Sequence, residues 1–150
     1  MRITKYLILF LSFCLCINAQ SVGCNSYDSL GRKQEFWIEK VGVETHVGQY
    51  HENDRFGQWV VYDSLQRIKR ILSYVGGLLE GNILSLNEKG AIIKELTFVA
   101  GRLNGRVKFY SSSGVLLAIY RYSNDILSAV EYLIQNVESP PRNHTYYPDY

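Results

Sequence analysis

Residues 57–80 read GQWVVYDSLQRIKRILSYVGGLLE, residues 81–104 read GNILSLNEKGAIIKELTFVAGRLN, and residues 105–128 read GRVKFYSSSGVLLAIYRYSNDILS. These segments align without a gap, and each opens with a glycine: Gly57, Gly81 and Gly105. Self-similarity at a fixed period is typical of a repeat architecture. The sequence therefore predicts successive copies of one unit of 24 residues.

Each unit has room for two strands and two tight turns. The first turn starts at Asp63, Asn87 or Ser111, and Asn, Asp and Ser favour such turns. Gln66 stands where the next two copies have glycine, and a left-handed backbone there costs roughly 1 kcal/mol without glycine. Gly-Gly, Ala-Gly or Asn-Asp then forms the second turn. We expect an all-β fold, an elongated antiparallel β-meander of successive hairpins.

Strand alternation assigns side chains to two faces. The predicted core face consists of Trp59, Val61, Ile68, Arg70, Leu72, Tyr74, Ile83, Ile92, Lys94, Leu96, Phe98, Val107, Phe109, Leu116, Ala118, Tyr120 and Tyr122. The opposite face is mixed and includes Ile71 and Ser73. Six of its residues form a predicted partner surface: Tyr62, Leu86, Tyr110, Ile93, Leu117 and Ile119. Because one layer cannot cover both faces, this surface needs a C-terminal tail, a second copy or a partner protein upon it.

The pattern extends beyond the three full copies. Residues 35–56 form a shorter copy, and YDSLGR at 27–32 nearly repeats YDSLQR at 62–67. The predicted organisation is a lead-in with a partial repeat at 20–34, a repeat sheet at 35–135 and a Pro/Tyr-rich tail at 136–150.

The first nineteen residues are typical of a secretory signal peptide. A basic start is followed by twelve apolar residues, YLILFLSFCLCI at 6–17, and then by Ala19. A buried N-terminal helix is the alternative, whereas a bilayer span needs about 20 apolar residues. We expect residues 1–19 to be removed and the protein to be exported to the periplasm, cell surface or medium. Cys24 then remains either as a lipid-attachment site, which would bring the protein to a membrane, or as an inert thiol.

Composition excludes some functions. The chain has 150 residues with 16 Lys+Arg and 14 Asp+Glu, and without Arg2 and Lys5 the balance is 14 to 14. A neutral chain is a poor electrostatic binder of nucleic acid. Three cysteines are too few for a disulfide framework.

The glycine and aromatic spacing resembles a known family. GRKQ-x-FW at 31–37, Gly48-Gln49-Tyr50 and the Gly-x-Trp-x-x-Tyr motif at 57–62 are similar to MORN-type repeats, in the bacterial variant of exported repeat proteins and YwqK-type antitoxins. The resemblance covers residues 27–134 and implies a sheet of successive hairpins. Glu35 and Ala129 depart from it, because the family pattern has glycine there.

Few residues suggest chemistry. His46, His51 and the Glu52-Asn53-Asp54 segment could ligate a metal, but alternation separates the histidines and the acidic segment lies where other copies turn. Lys94, Arg102, Arg106 and Lys108 are interpreted as a solvated surface rather than an anion site. Asn143-His144-Thr145 is a glycosylation sequon. No catalytic residue and no cofactor is predicted.

The sequence therefore favours a non-enzymatic exported module that mediates protein–protein contacts. An antitoxin-like or immunity-like protein that neutralises a toxin by direct binding is the alternative. A carbohydrate-binding envelope protein using exposed Tyr and Trp is a third hypothesis.

Export has a direct test. Intact-mass analysis of secreted or periplasmic protein should show a loss of about 2 kDa, because residues 1–19 are cleaved. A mass gain on Cys24 would instead establish lipidation, and native protein that keeps Met1 would contradict export.

Overall fold

The computed structural model of the protein describes residues 24–134. The segments 1–19 and 136–150 and the sequon lie outside the described residues. Within the described range all regular elements are strands: β1 Ser26–Tyr27, β2 Lys33–Val41, β3 Glu44–His51, β4 Asp54–Tyr62, β5 Ile68–Val75, β6 Leu78–Leu79, β7 Gly81–Leu86, β8 Ile92–Val99, β9 Arg102–Tyr110, β10 Leu116–Ser123 and β11 Ile126–Leu133.

The strands form one antiparallel sheet whose spatial order follows the chain. Each strand pairs with its sequence neighbour, except that β7 joins β5 directly while short β6 also pairs with β5. The predicted all-β meander of successive hairpins is confirmed.

Side-chain oxygens build the longer turns. Asp63 Oδ1 accepts the backbone N–H groups of Leu65 and Arg67 at 2.8 and 3.0 Å. The side chains of Asn87 and Ser111 accept the same pair of bonds in their turns. Gln66 has φ 61°, in the left-handed region that Gly90 and Gly114 occupy, so the predicted strain at this residue is present.

Four of the tight turns use two consecutive residues with positive φ. This holds for Glu52-Asn53, Gly76-Gly77, Ala100-Gly101 and Asn124-Asp125. Two positive φ values define a type I′ turn, whose twist matches that of the flanking strands. The Glu52-Asn53-Asp54 segment is therefore a turn and the start of β4, as predicted.

One face of the sheet contains the core. Its central row has fully buried Trp59, Leu72 and Ile83, continued in register by Leu96, Val107 and Tyr120. The predicted core residues that are buried are Trp59, Val61, Arg70, Leu72, Tyr74, Ile83, Leu96, Phe98, Val107, Ala118 and Tyr120.

Large side chains beside this row cover it. Successive rings contact each other edge to face. The ring centres of Trp37 and Tyr50 are 5.5 Å apart, those of Tyr50 and Trp59 are 5.0 Å apart, and those of Trp59 and Tyr74 are 6.4 Å apart. The Arg55 guanidinium lies 4.3 Å from the Trp59 ring centre. Aromatic pairs and cation–π contacts of this kind add to apolar burial. A single layer can thus bury one of its own faces.

Three predicted core residues are wrong. Ile68, Ile92 and Leu116 pair directly with Tyr62, Leu86 and Tyr110, so they share the second face. A bulge follows each pair and adds one residue to the strand. The extra residue turns the three side chains to the face opposite the one that strict alternation predicts.

Gly48 provides the room for Trp59. A Cβ added at Gly48 would lie 2.3 Å from the indole ring, although the glycine has no positive φ. We expect Gly48→Ala to lower the free energy of unfolding by about 3 kcal/mol or more through this clash. Gly114→Ala, which meets open space at φ 85°, should cost only about 1 kcal/mol.

Urea denaturation of both variants measures these losses. Adding Trp59→Leu to Gly48→Ala should recover part of the loss, because the smaller side chain leaves space for the methyl group. Equal losses for Gly48→Ala and Gly114→Ala would contradict the steric explanation.

Candidate interaction surface

An aliphatic row crosses the second face of the sheet. Val47 pairs with Val60, Val60 with Ile71, and Ile71 with Leu84, so these four side chains lie side by side on β3, β4, β5 and β7. All four are half-buried. Ile38 on β2 pairs with Val47 and extends the row, with 44% of its surface exposed.

A row of uncharged polar residues runs beside the aliphatic one. Gln58 pairs with Ser73, and each lies two residues along its strand from a member of the aliphatic row. Gln49 lies two residues from Val47, where a bulge sets it opposite Phe36 and Phe56. Asn82 lies two residues from Leu84, opposite Thr97. We call these eight residues the uncharged patch: Val47, Val60, Ile71, Leu84, Gln49, Gln58, Ser73 and Asn82.

Charged residues begin where the patch ends. Glu95, next to Leu84 in register, receives a 2.8 Å bond from Lys108 Nζ. Burial raises the pKa of Tyr110, and its hydrogen bond to Glu95 raises it further. Arg106 and Arg121 both bind Glu131 further along the same face. The apolar part of this face is therefore divided.

The six residues predicted as a partner surface do not form one continuous patch. Tyr62, Leu86 and Tyr110 lie at strand ends before the longer turns. Ile93 and Leu117 occupy bulges, where alternation assigns neither face. Ile119 lies beyond the Glu95–Lys108 pair, between Lys108 and Tyr132 in register. All six are half-buried.

Sequence reasoning missed part of the uncharged patch. Ile71 was assigned to the second face, but Val47, Val60 and Leu84 were not. Val60 lies between two core residues, Trp59 and Val61, so alternation alone could have assigned it.

A cluster of charged residues lies on the core face between β2 and β5. Arg55 donates to Glu39 Oε2 at 3.2 Å and to the Tyr74 hydroxyl at 3.2 Å. Glu44 binds Lys69 at 2.7 Å and also binds Arg70. Burial alone would raise the pKa of Glu44, but the bonds from Lys69 and His46 and the Arg70 charge lower it overall.

His46 connects the two halves of this cluster. It is 3% exposed, with Nε2 3.2 Å from Glu44 and Nδ1 3.5 Å from Arg55. Burial lowers its pKa, and the nearby arginines contribute in the same direction. A proton on Nε2 alone satisfies both neighbours, because Nδ1 then accepts from Arg55.

The histidines do not meet at a metal site. His51 is exposed while His46 is buried, and Glu52 binds Arg32 at 2.9 Å. Among residues 24–134, no group of three or more His, Cys, Asp or Glu is placed to hold a metal ion.

The predicted solvated cations need one correction. Lys94 is half-buried on the core face, with Nζ 5.5 Å from the Phe109 ring centre, and burial lowers its pKa. Arg102 and Arg106 are exposed, and half-buried Lys108 binds Glu95.

Both tryptophans of the chain are buried, Trp37 at 6% and Trp59 at 0% exposure. They are therefore not exposed platforms, and the carbohydrate hypothesis rests on the tyrosines alone.

Comparison with known proteins leaves the family open. The chain matches no protein-family model and no curated protein.

Cys24 is exposed, and its lipidation stays a prediction. In the part of the chain that the structure describes, no helix is long and apolar enough to cross a membrane.

His46 should make stability depend on pH. Its pKa is lowered in the fold, so below about pH 6.5 the unfolded chain binds more protons. The groups facing it are Glu39, Glu44, Arg55 and Arg70. The free energy of unfolding should fall from pH 7.5 towards pH 5.5, by at most about 1.4 kcal/mol per pH unit.

Urea denaturation across this range measures the slope, with His46→Gln as the control because glutamine does not titrate. The carboxylates beside His46, Glu39 and Glu44, also have lowered pKa values, and their protonation destabilises the fold only at lower pH. An unchanged slope in His46→Gln would contradict the role of His46.

Proposed function

We propose that the protein is a non-enzymatic module that binds another protein through the uncharged patch. The observation that carries this proposal is the pair of uncharged rows, aliphatic and amide-bearing, side by side on the open face of a single-layer sheet. Depletion of charge at the centre distinguishes a protein interface from ordinary surface. A single-layer repeat sheet also offers a long surface rather than a deep pocket, which suits partner binding.

The form of the patch suits a protein partner. Half-buried valine, isoleucine and leucine side chains give apolar area whose burial is favourable by about 25 cal/mol per Å². Gln49, Gln58 and Asn82 carry amides that both donate and accept hydrogen bonds, which gives specificity at the border of the apolar row.

Export and the repeat architecture belong to this proposal. The basic and apolar start of the chain supports a role in the envelope or outside the cell. The recurrence of turns and bulges at a spacing of 24 residues supports a MORN-like repeat origin. Neutralisation of a toxin by direct binding is a narrower form of the same activity and would use the same patch.

The test compares two equivalent substitutions on the second face. Ile71→Lys places a charge inside the uncharged patch, whereas Ile119→Lys makes the same change beyond the Glu95–Lys108 pair. Both residues are half-buried aliphatics in strand interiors. Proteins captured from an envelope extract by tagged full-length chain would be identified and purified, and their affinities measured by surface plasmon resonance.

We expect Ile71→Lys to weaken binding about tenfold or more, equivalent to about 1.4 kcal/mol, and Ile119→Lys to leave it unchanged. Circular dichroism checks that both variants stay folded. Equal effects of the two substitutions, or a larger effect of Ile119→Lys, would contradict binding through the patch.

A further inference from the structure

We infer that the uncharged patch binds a second copy of this chain, sheet upon sheet. This inference rests on the proposed function and names its partner. It follows from the order of residues in the aliphatic row, Ile38, Val47, Val60, Ile71 and Leu84, in which Val60 is central. A two-fold axis along β4 would reverse this order in the second copy.

Under this symmetry the patch matches itself. Val60 would meet Val60 of the second copy, Val47 would meet Ile71, and Ile38 would meet Leu84. Every contact in the row is then aliphatic. Gln58, two residues from Val60 on the same strand, would meet its own counterpart, and two amides can donate to and accept from each other.

The absence of charge in the patch favours self-association. On a two-fold axis each residue meets its own copy, so a charged residue there would face a like charge, and these two rows contain none. Glu95 and Lys108 continue the row beyond Leu84. In the dimer, Glu95 and Lys108 would face the part of the second copy that lies outside its β2. Only the two-residue strand β1, Ser26–Tyr27, lies there, so the ion pair stays at the rim of the interface. An apolar centre with a charged rim is the usual anatomy of an interface.

Twist also agrees with a second copy. Stacked sheets of equal twist pack with their strands up to about 30° apart, and two copies reach this angle when the two-fold axis over Val60 is inclined by about 15° to β4. Five strands at about 4.8 Å spacing, with two side chains about 7 Å apart on each, give a patch of roughly 300 Å² per copy. The total of about 600 Å² is that of a weak interface, so the dimer should form only at high concentration.

The decisive test places charges on the axis. Gln58 is exposed, so Gln58→Glu and Gln58→Lys should leave the fold intact. Full-length protein of each variant would be followed by sedimentation velocity from micromolar to near-millimolar concentration. We expect each variant alone to dimerise about tenfold more weakly than the wild type, because like charges meet at the axis. An equimolar mixture should recover dimerisation to within about threefold, because opposite charges then meet.

The control is the same pair of changes at Asn82, which is exposed in the same row but off the axis. Asn82→Glu and Asn82→Lys should weaken dimerisation without recovery on mixing, because the two residues 82 do not meet. A monomeric wild type at all concentrations, or equal recovery at both positions, would overturn the inference. If the wild type is monomeric but Ile71→Lys still abolishes binding of another protein, only the inference fails and the proposed function stands.

Discussion

The structure depends on one constraint, that a single layer must bury one of its faces with its own side chains. Trp59 provides much of this burial. Its indole lies over Gly48, where there is no side chain to occupy the space, and the Arg55 guanidinium packs on its ring. Tyr50 and Tyr74 flank the indole edge-to-face. The charged cluster around Glu39, in turn, holds Arg55 in place. Core packing and the polar network on this face are therefore one system, in which an ion pair supports the cover of an apolar row.

The same constraint leaves the second face without a cover from residues 24–134. The bulges beside Tyr62, Leu86 and Tyr110 insert one residue in each hairpin. The inward and outward alternation of side chains therefore changes phase at each bulge. Aliphatic residues on this face are only half-buried, whereas most of their neighbours one position along the strand are buried. The interface proposed above is thus a consequence of the architecture, because a one-layer sheet with apolar residues on both faces has only one face that it can cover.

Much of the fold was predictable, and for local reasons. Turn positions follow from Asp, Asn and Ser side chains that bond the next backbone amides, and from residues that tolerate positive φ. Most of the core followed from alternation. Ile68, Ile92 and Leu116 were assigned to the wrong face. Each lies next to a bulge, and strict alternation does not predict where a strand gains an extra residue. Ile71 of the uncharged patch was assigned to the second face by alternation. Ile119 of the predicted partner surface lies on the same face but is separated from Ile71 by Glu95 and Lys108.

The sequence by itself determined the strands, the turns, the antiparallel order and the identity of the central core row, because each depends on local conformation or a period of two. Only the tertiary structure decided which side chains meet across strands. Register places Val47, Val60, Ile71 and Leu84 in one row, although 37 positions separate the first from the last. Register also buries His46 between Glu44 and Arg55. These contacts depend on bulges and on the fit of Trp59 over Gly48, which are properties of paired strands and not of any one segment.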